Sequence, residues 1–127
     1  NRTTLTKSRG ILFSSVTLPV MLWAIAVTEE IAMTIVGNAG EARSLAFEAL
    51  KEAKEGNYEK AKKYLEQSKE RSLAAHEMQT ELICNEADEN GIEMNLLMVH
   101  AQDHLMTSIL ARELIEEMIT LYKKLDK

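Results

Sequence analysis

Polar and apolar positions divide the chain into one apolar stretch and three long helical repeats, separated by two breaks. Residues 11–27 are almost continuously apolar, interrupted by Ser14, Ser15, Thr17 and Pro19. From Thr28 the pattern changes. Ala32, Ile35, Ala39, Ala42, Ala46, Ala49 and Ala53 recur every three or four residues, the spacing of one helix face. Thr28, followed by Glu29 and Glu30, reads as the start of this helix, with acids at the positive end of its dipole. An alanine seam allows a neighbouring helix to approach closely. Gly37 and Gly40 interrupt it at a cost of roughly 1 kcal/mol each against alanine. Close approach of a backbone or ligand would account for them, as would a small kink.

Gly56 and Asn57 form the first break. Glycine suits the left-handed position after a helix, and asparagine suits the cap of the next. The second helix is predicted over 58–87. Its inward seam is Ala61, Leu65, Ser68, Ser72, Ala75, Gln79 and Leu82. Its outward face carries Glu59, Lys62, Lys63, Glu66, Lys69 and Glu70, spaced for ion pairs along the helix and read as a solvated surface. Asp88, Glu89, Asn90 and Gly91 make the second turn. The third helix is predicted over 94–125. Both connections are short, so the expected fold is all-α, an up-down-up antiparallel three-helix bundle.

On the third helix one predicted face collects Leu96, Leu97, His100, Asp103, His104, Thr107, Leu110, Ala111, Leu114, Ile115, Met118, Leu121 and Tyr122. It is expected to point inward. Met98, Leu105, Met106 and Ile109 lie on the opposite side, so the first half of the helix is apolar nearly all round. A helix without a solvent face is covered by something, which predicts an oligomer with this helix near its centre.

Composition narrows the functional classes. The chain has 127 residues, 46% of them hydrophobic, which is one domain. The net charge is −5, but the first 27 residues hold three bases, Arg2, Lys7 and Arg9, and no acids. Residues 28–127 therefore hold 12 of the 15 bases and all 20 acids. So acidic a surface argues against nucleic acid as a partner. The single cysteine, Cys84, has no partner for an internal disulfide and reads as a small core residue.

His100, Asp103, His104 and Thr107 stand at i, i+3, i+4 and i+7, so they are neighbours on the helix surface. Three readings fit them. A nucleophilic histidine with polar helpers could carry a phosphoryl group, because imidazole is largely unprotonated near neutral pH. Two histidines one turn apart could share a metal ion, as in a metal-dependent hydrolase. Or both histidines satisfy each other in a polar layer of a non-catalytic interaction bundle.

The wording of the sequence around them goes further. Val99-His100-Ala101-Gln102-Asp103-His104-Leu105-Met106-Thr107 resembles the signature of the lactose/cellobiose-type enzyme IIA of the bacterial sugar phosphotransferase system. Gly40-Glu41-Ala42-Arg43-Ser44-Leu45 resembles that family's first-helix motif. Gly56-Asn57-Tyr58 resembles its Gly-Asp-Phe turn, and Ala75-His76-Glu77-Met78-Gln79-Thr80 its Ala-His-x-x-Gln-Thr segment. The resemblance runs from about Glu29 to Lys124.

It implies a three-helix bundle that assembles as a homotrimer in the cytoplasm. It implies that His100 accepts a phosphoryl group from HPr and passes it to a cysteine of enzyme IIB, and that the sugar itself is not bound. His104 and Gln102 are implied as supporting hydrogen-bond donors to the phosphoryl oxygens, within the subunit or across a subunit boundary. Asp103 is implied as the metal ligand near the threefold axis. There one divalent cation per trimer, with Mg2+ the expected ion, offsets three carboxylates. His76 is expected to be a buried histidine bonded within the bundle, and Arg43 to pair with an acid or help a partner dock. Ala101 leans the substrate class towards cellobiose or chitobiose, since lactose-type members more often have glycine there. Residues 1–27 depart from the family. They are expected to be an extension foreign to the 28–127 enzyme IIA domain. The alternatives are a secretory signal, suggested by the basic start, apolar middle and Ala24-Ile25-Ala26 end, and an extra strand or helix packed on the bundle.

Overall fold

The computed structural model describes residues 17–87 and 94–126. Three helices account for nearly all of them: α1, Thr17–Lys54; α2, Tyr58–Ala87; and α3, Leu96–Leu125. The turn expected at 88–91 and the basic start of the chain lie outside the described residues.

Helix α1 begins well before the predicted start at Thr28. Nothing in the apolar stretch stops a helix, and Pro19 falls in the first turn, where its missing N–H has no partner to lose. Thr28 is no cap. Its hydroxyl donates back to the Ala24 carbonyl at 2.9 Å, inside the continuing helix. Packing, by contrast, does begin at Thr28, which is buried, while residues 19–26 are exposed, Trp23 at 69%. The 38 residues of α1 against 30 in each of the others leave an overhang of roughly 12 Å at 1.5 Å per residue. By length and composition alone the stretch Pro19–Lys54 could cross a membrane, a test that signal sequences and core helices also pass.

The alanine seam of α1 is the centre of the bundle. Ala32, Ile35, Ala39, Ala42, Ala46, Ala49 and Ala53 are all buried, as are Ala61, Ser68, Ser72 and Ala75 of α2. Such small residues bring the backbones close enough for the Ser68 hydroxyl to donate directly to the Ala42 carbonyl at 2.6 Å. Gly37 and Gly40 do not serve this approach, for a methyl added at either would meet no atom within 4 Å. The outward charges of α2 are exposed, as predicted. Its cross-helix ion pairs run instead to α1, from Lys60 to Glu52 at 2.6 Å and from Arg71 to Glu41 at 3.1 Å. Arg43 is exposed and joins no ion pair among the described residues. Cys84 is exposed rather than a core residue; it lies two positions past the half-buried Leu82, a rotation of about 200° away from the seam.

The α1–α2 corner follows from Gly56 at φ +79°. Gly56 N–H donates to Ala53 O at 3.1 Å and Asn57 N–H to Glu52 O at 2.9 Å, the double closure of a glycine-terminated helix. Asn57 caps α2 with its backbone carbonyl, which accepts from Ala61 N–H. Its side-chain amide donates to Glu52 Oε2 at 3.0 Å. The Glu52 carboxylate is held below its ordinary value of 4.5, first by the hydrogen bond from Lys60 and then by that from Asn57. At the same end of the bundle the Tyr58 hydroxyl donates to the Asp126 carboxylate, so the start of α2 meets the end of α3. At the other end Met21, Ala24, Ile25 and Thr28 share a shallow cavity with Asn95. Helices α1 and α3 are therefore parallel, with α2 running against both.

The largest departure from the sequence reading is the rotation of α3. Its buried residues are Met98, Ala101, Leu105, Ser108, Ile115 and Ile119. Most of the face expected inside, including Leu96, His100, Asp103, Thr107, Leu110, Leu114, Met118 and Leu121, is exposed. Both faces are apolar enough to pack. Polarity decides between them: burying the imidazole of His100, the carboxylate of Asp103 and the hydroxyl of Thr107 would cost several kcal/mol without partners, whereas Ala101 and Ser108 fit the alanine seam.

Candidate functional site

Helix α3 starts at Leu96, with Asn95 as its cap. Asn95 is extended (φ −120°, ψ 172°), and its side chain accepts from Met98 N–H at 2.9 Å. His100 is the fifth helical residue. Long side chains on a helix lean towards its N-terminus, so His100 leans towards the positive end of α3. It is exposed, and His104, one turn on, is half-buried. The two rings meet edge to face, with centroids 4.4 Å apart and planes inclined at 68°. The structure thus brings together two of the predicted site residues.

Asp103 is exposed on the same side. Its backbone carbonyl accepts the Thr107 hydroxyl at 2.7 Å, and the same hydroxyl lies 3.3 Å from the His104 carbonyl. Asp103, Leu110 and Leu114 lie along one exposed stripe of the helix. Among the described residues no three His, Cys, Asp or Glu side chains cluster closely enough to hold a metal. His100 and His104 alone fall short of the four ligands of a zinc site or the three protein ligands of a catalytic one. A single carboxylate per chain suits a different arrangement, one in which identical copies each contribute one oxygen ligand.

Gln102 does not join His100 within the chain. Two residues along a helix are about 200° apart, and Gln102 turns towards α2, where its Oε1 accepts from Gln79 Nε2. Gln79 Oε1 in turn lies 3.2 Å from His76 Nδ1. His76 is exposed rather than buried, so its bond runs along the surface of α2. Spacing puts Gln79 in the inward seam of α2 and by itself assigns it no chemical part. The available signal was a polar amide in that seam, three residues after a histidine.

Chemically, this is an accessible imidazole beside a second imidazole, on a rigid helix. Such a site is open to another macromolecule rather than closed around a small substrate. The pattern of the family "PTS system, Lactose/Cellobiose specific IIA subunit" matches residues 30–123, and the chain belongs to that family. It is a phosphotransfer component of the phosphotransferase system.

The N,N'-diacetylchitobiose-specific EIIA component of Escherichia coli K12 is 52% identical over 97 residues, covering 76% of this chain and 84% of its own length. The crystal structure of the cellobiose-specific enzyme IIA from Bacillus anthracis superposes with a TM-score of 0.76 at 45% identity, covering 78% of this chain and 91% of that one. The IIA(chitobiose) chain of E. coli, solved in complex with HPr, gives 0.70 at 49% identity, covering 79% and 97%.

Proposed function

We propose that His100 accepts a phosphoryl group from phospho-HPr and passes it to a cysteine of enzyme IIB, in the uptake of cellobiose- or chitobiose-type disaccharides. The observation that carries this reading is the exposed His100 ring set edge to face against the half-buried His104, inside the family-matched segment. The HPr complex of a relative 49% identical supports the donor, and the chitobiose- and cellobiose-specific relatives support the sugar class.

In this mechanism a nitrogen of the neutral His100 imidazole attacks the phosphorus of phosphohistidine on HPr as the donor nitrogen leaves. His104, ring edge against ring, offers an N–H donor to the phosphoryl oxygens. The half-buried position of His104 holds that ring while His100 stays exposed to each partner in turn. Because both donor and acceptor are proteins in the cytoplasm, the carrier works there. Three copies packed along the exposed stripe of α3 would bring three Asp103 carboxylates together. A divalent cation such as Mg2+ would supply the compensating charge, with Asp103 of each copy as its ligand. Residues 1–27 are assigned as an extension outside the phosphocarrier domain, consistent with a family match that begins at residue 30.

Incubation with phosphoenolpyruvate, enzyme I and HPr tests the reading directly. One acid-labile phosphate per chain is expected, absent from His100→Gln. A His100→Gln protein that still becomes phosphorylated would overturn it.

A further inference from the structure

The chain His76–Gln79–Gln102 has a direction. Gln79 Oε1 is an acceptor only, so the facing Nδ1 of His76 carries the proton. Gln79 Nε2 then donates to Gln102 Oε1. That bond turns the Gln102 oxygen towards α2, so the group the amide presents away from α2 is its NH2. The neighbour of its Nε2 is Met98 Sδ at 3.5 Å, a weak acceptor that leaves the donor capacity largely unspent. An outward N–H suits a phosphoryl oxygen. The reversed amide would point a lone pair at that anion.

His100 of the same chain cannot use this donor, since it lies on the other flank of α3. Between the two flanks runs the exposed stripe of Asp103, Thr107, Leu110 and Leu114. If copies close into a ring around that stripe, each α3 sets one flank against the opposite flank of the next. The His100 flank of one copy then meets the Gln102 flank of its neighbour, with the two residues only about 3 Å apart in height along parallel helices.

We propose that His76 and Gln79 are positioning residues for phosphotransfer, fixing the Gln102 amide so that its N–H groups face the phosphoryl group on His100 of a neighbouring copy. This rests on the phosphocarrier reading above and adds to it two α2 residues that never touch the phosphoryl group.

The test is Gln79→Glu, an isosteric change that replaces the donating NH2 by an accepting oxygen. Gln102 then turns its NH2 towards α2 and its oxygen outward. The α2–α3 link survives as a charge-assisted bond, so Tm and oligomeric state should match the parent. The kcat for transfer from phospho-HPr should fall about tenfold, less than the loss for deleting an oxyanion donor outright, with KM for phospho-HPr unchanged. His76 provides a second pair of variants at an exposed position. His76→Asp, which lacks the Nδ1–H, should slow transfer, and His76→Asn, whose Nδ2–H stands in its place, should regain most of the loss. Co-assembling Gln79→Glu copies with His100→Gln copies should restore fast transfer to the intact His100, because the neighbour then supplies a correctly oriented Gln102.

Parent-like kcat in both Gln79→Glu and His76→Asp would overturn the proposal while leaving the carrier reading intact. A slow variant that mixing does not restore would overturn it too. A parent protein that accepts no phosphate would instead sink the underlying reading.

Discussion

At the scale of single residues, charge and hydrogen-bond partners act at the corner between α1 and α2, away from the histidines. Glu52 accepts from Lys60 and Asn57, which depress its pKa. Lys60 is raised, first by its hydrogen bond to Glu52. Tyr58 is pushed up to about 12 from 10.0, first by donating to Asp126. The signs set three limbs. The Glu52 contribution to stability is present above its ordinary value of 4.5 and is lost as pH falls through its lower folded value. Those of Tyr58 and Lys60 are present below their ordinary values of 10.0 and 10.5 and are lost as pH rises, for Tyr58 through about 12. Tm measured across pH should show a neutral plateau. Glu52→Gln should flatten part of the acid fall, and Tyr58→Phe part of the alkaline one. A Glu52→Gln acid limb as steep as the parent's would remove this corner from the account. Gly56 and the position of Asn57 at the start of α2 were legible in the sequence because turn chemistry is local, whereas the Asn57 side chain goes to Glu52 and leaves the capping to its backbone carbonyl. The Glu52–Lys60 pair was not, since it needs the two helices to be docked.

At the scale of elements, period is easy to read and direction is not. The seams of α1 and α2 were fully legible, because alanine and serine at helical spacing have only one apolar face to offer. Helix α3 has two, and periodicity alone chose the wrong one. The outcome depends on the partner surface: a flat alanine seam receives Met98, Ala101 and Leu105, while the polar groups of His100, Asp103 and Thr107 keep their water. The start of α1 was missed for a similar reason. A threonine before two glutamates has cap chemistry, but an apolar helix arriving from upstream overrides it. This view of the seam predicts opposite signs for two substitutions on one helix. Ala42→Leu forces extra atoms into a 0%-exposed site whose carbonyl already holds Ser68, and should destabilise by about 1–3 kcal/mol. Gly37→Ala adds a methyl to open space in a helix and should stabilise by up to about 1 kcal/mol. Denaturant unfolding of both variants checks the pair, and a destabilising Gly37→Ala would indicate a close neighbour in the assembled protein.

At the scale of the molecule, the exposed stripe of α3 is the feature a single copy does not explain. Leu110, Leu114, Leu121 and Leu125 are each more than half exposed and stand four or seven residues apart, with Met118 between Leu114 and Leu121 and the exposed Leu96 two heptads before Leu110. That is the repeat of a helix packed along another helix, and an apolar line of this length marks an interaction site. Periodicity puts the outer face of α3 at Met98, Leu105, Met106 and Ile109, yet Met98 and Leu105 are buried inside the bundle, because an all-round apolar helix offers two faces and period does not choose between them. Asp103 lies within the stripe, where its charge opposes association unless it is neutralised. Two variants separate these effects. Leu114→Glu should abolish assembly at any cation concentration yet leave a folded single copy, since residue 114 touches no core cluster of its own chain. Asp103→Leu should assemble more tightly and lose dependence on added Mg2+, with the parent binding one ion per three chains. Sedimentation with and without chelator reads both. If Leu114→Glu still assembles as the parent does, the stripe is not the interface. If it becomes monomeric and keeps the full rate of transfer, His100 needs no neighbour, and the placement of the Gln102 donor across copies fails with it.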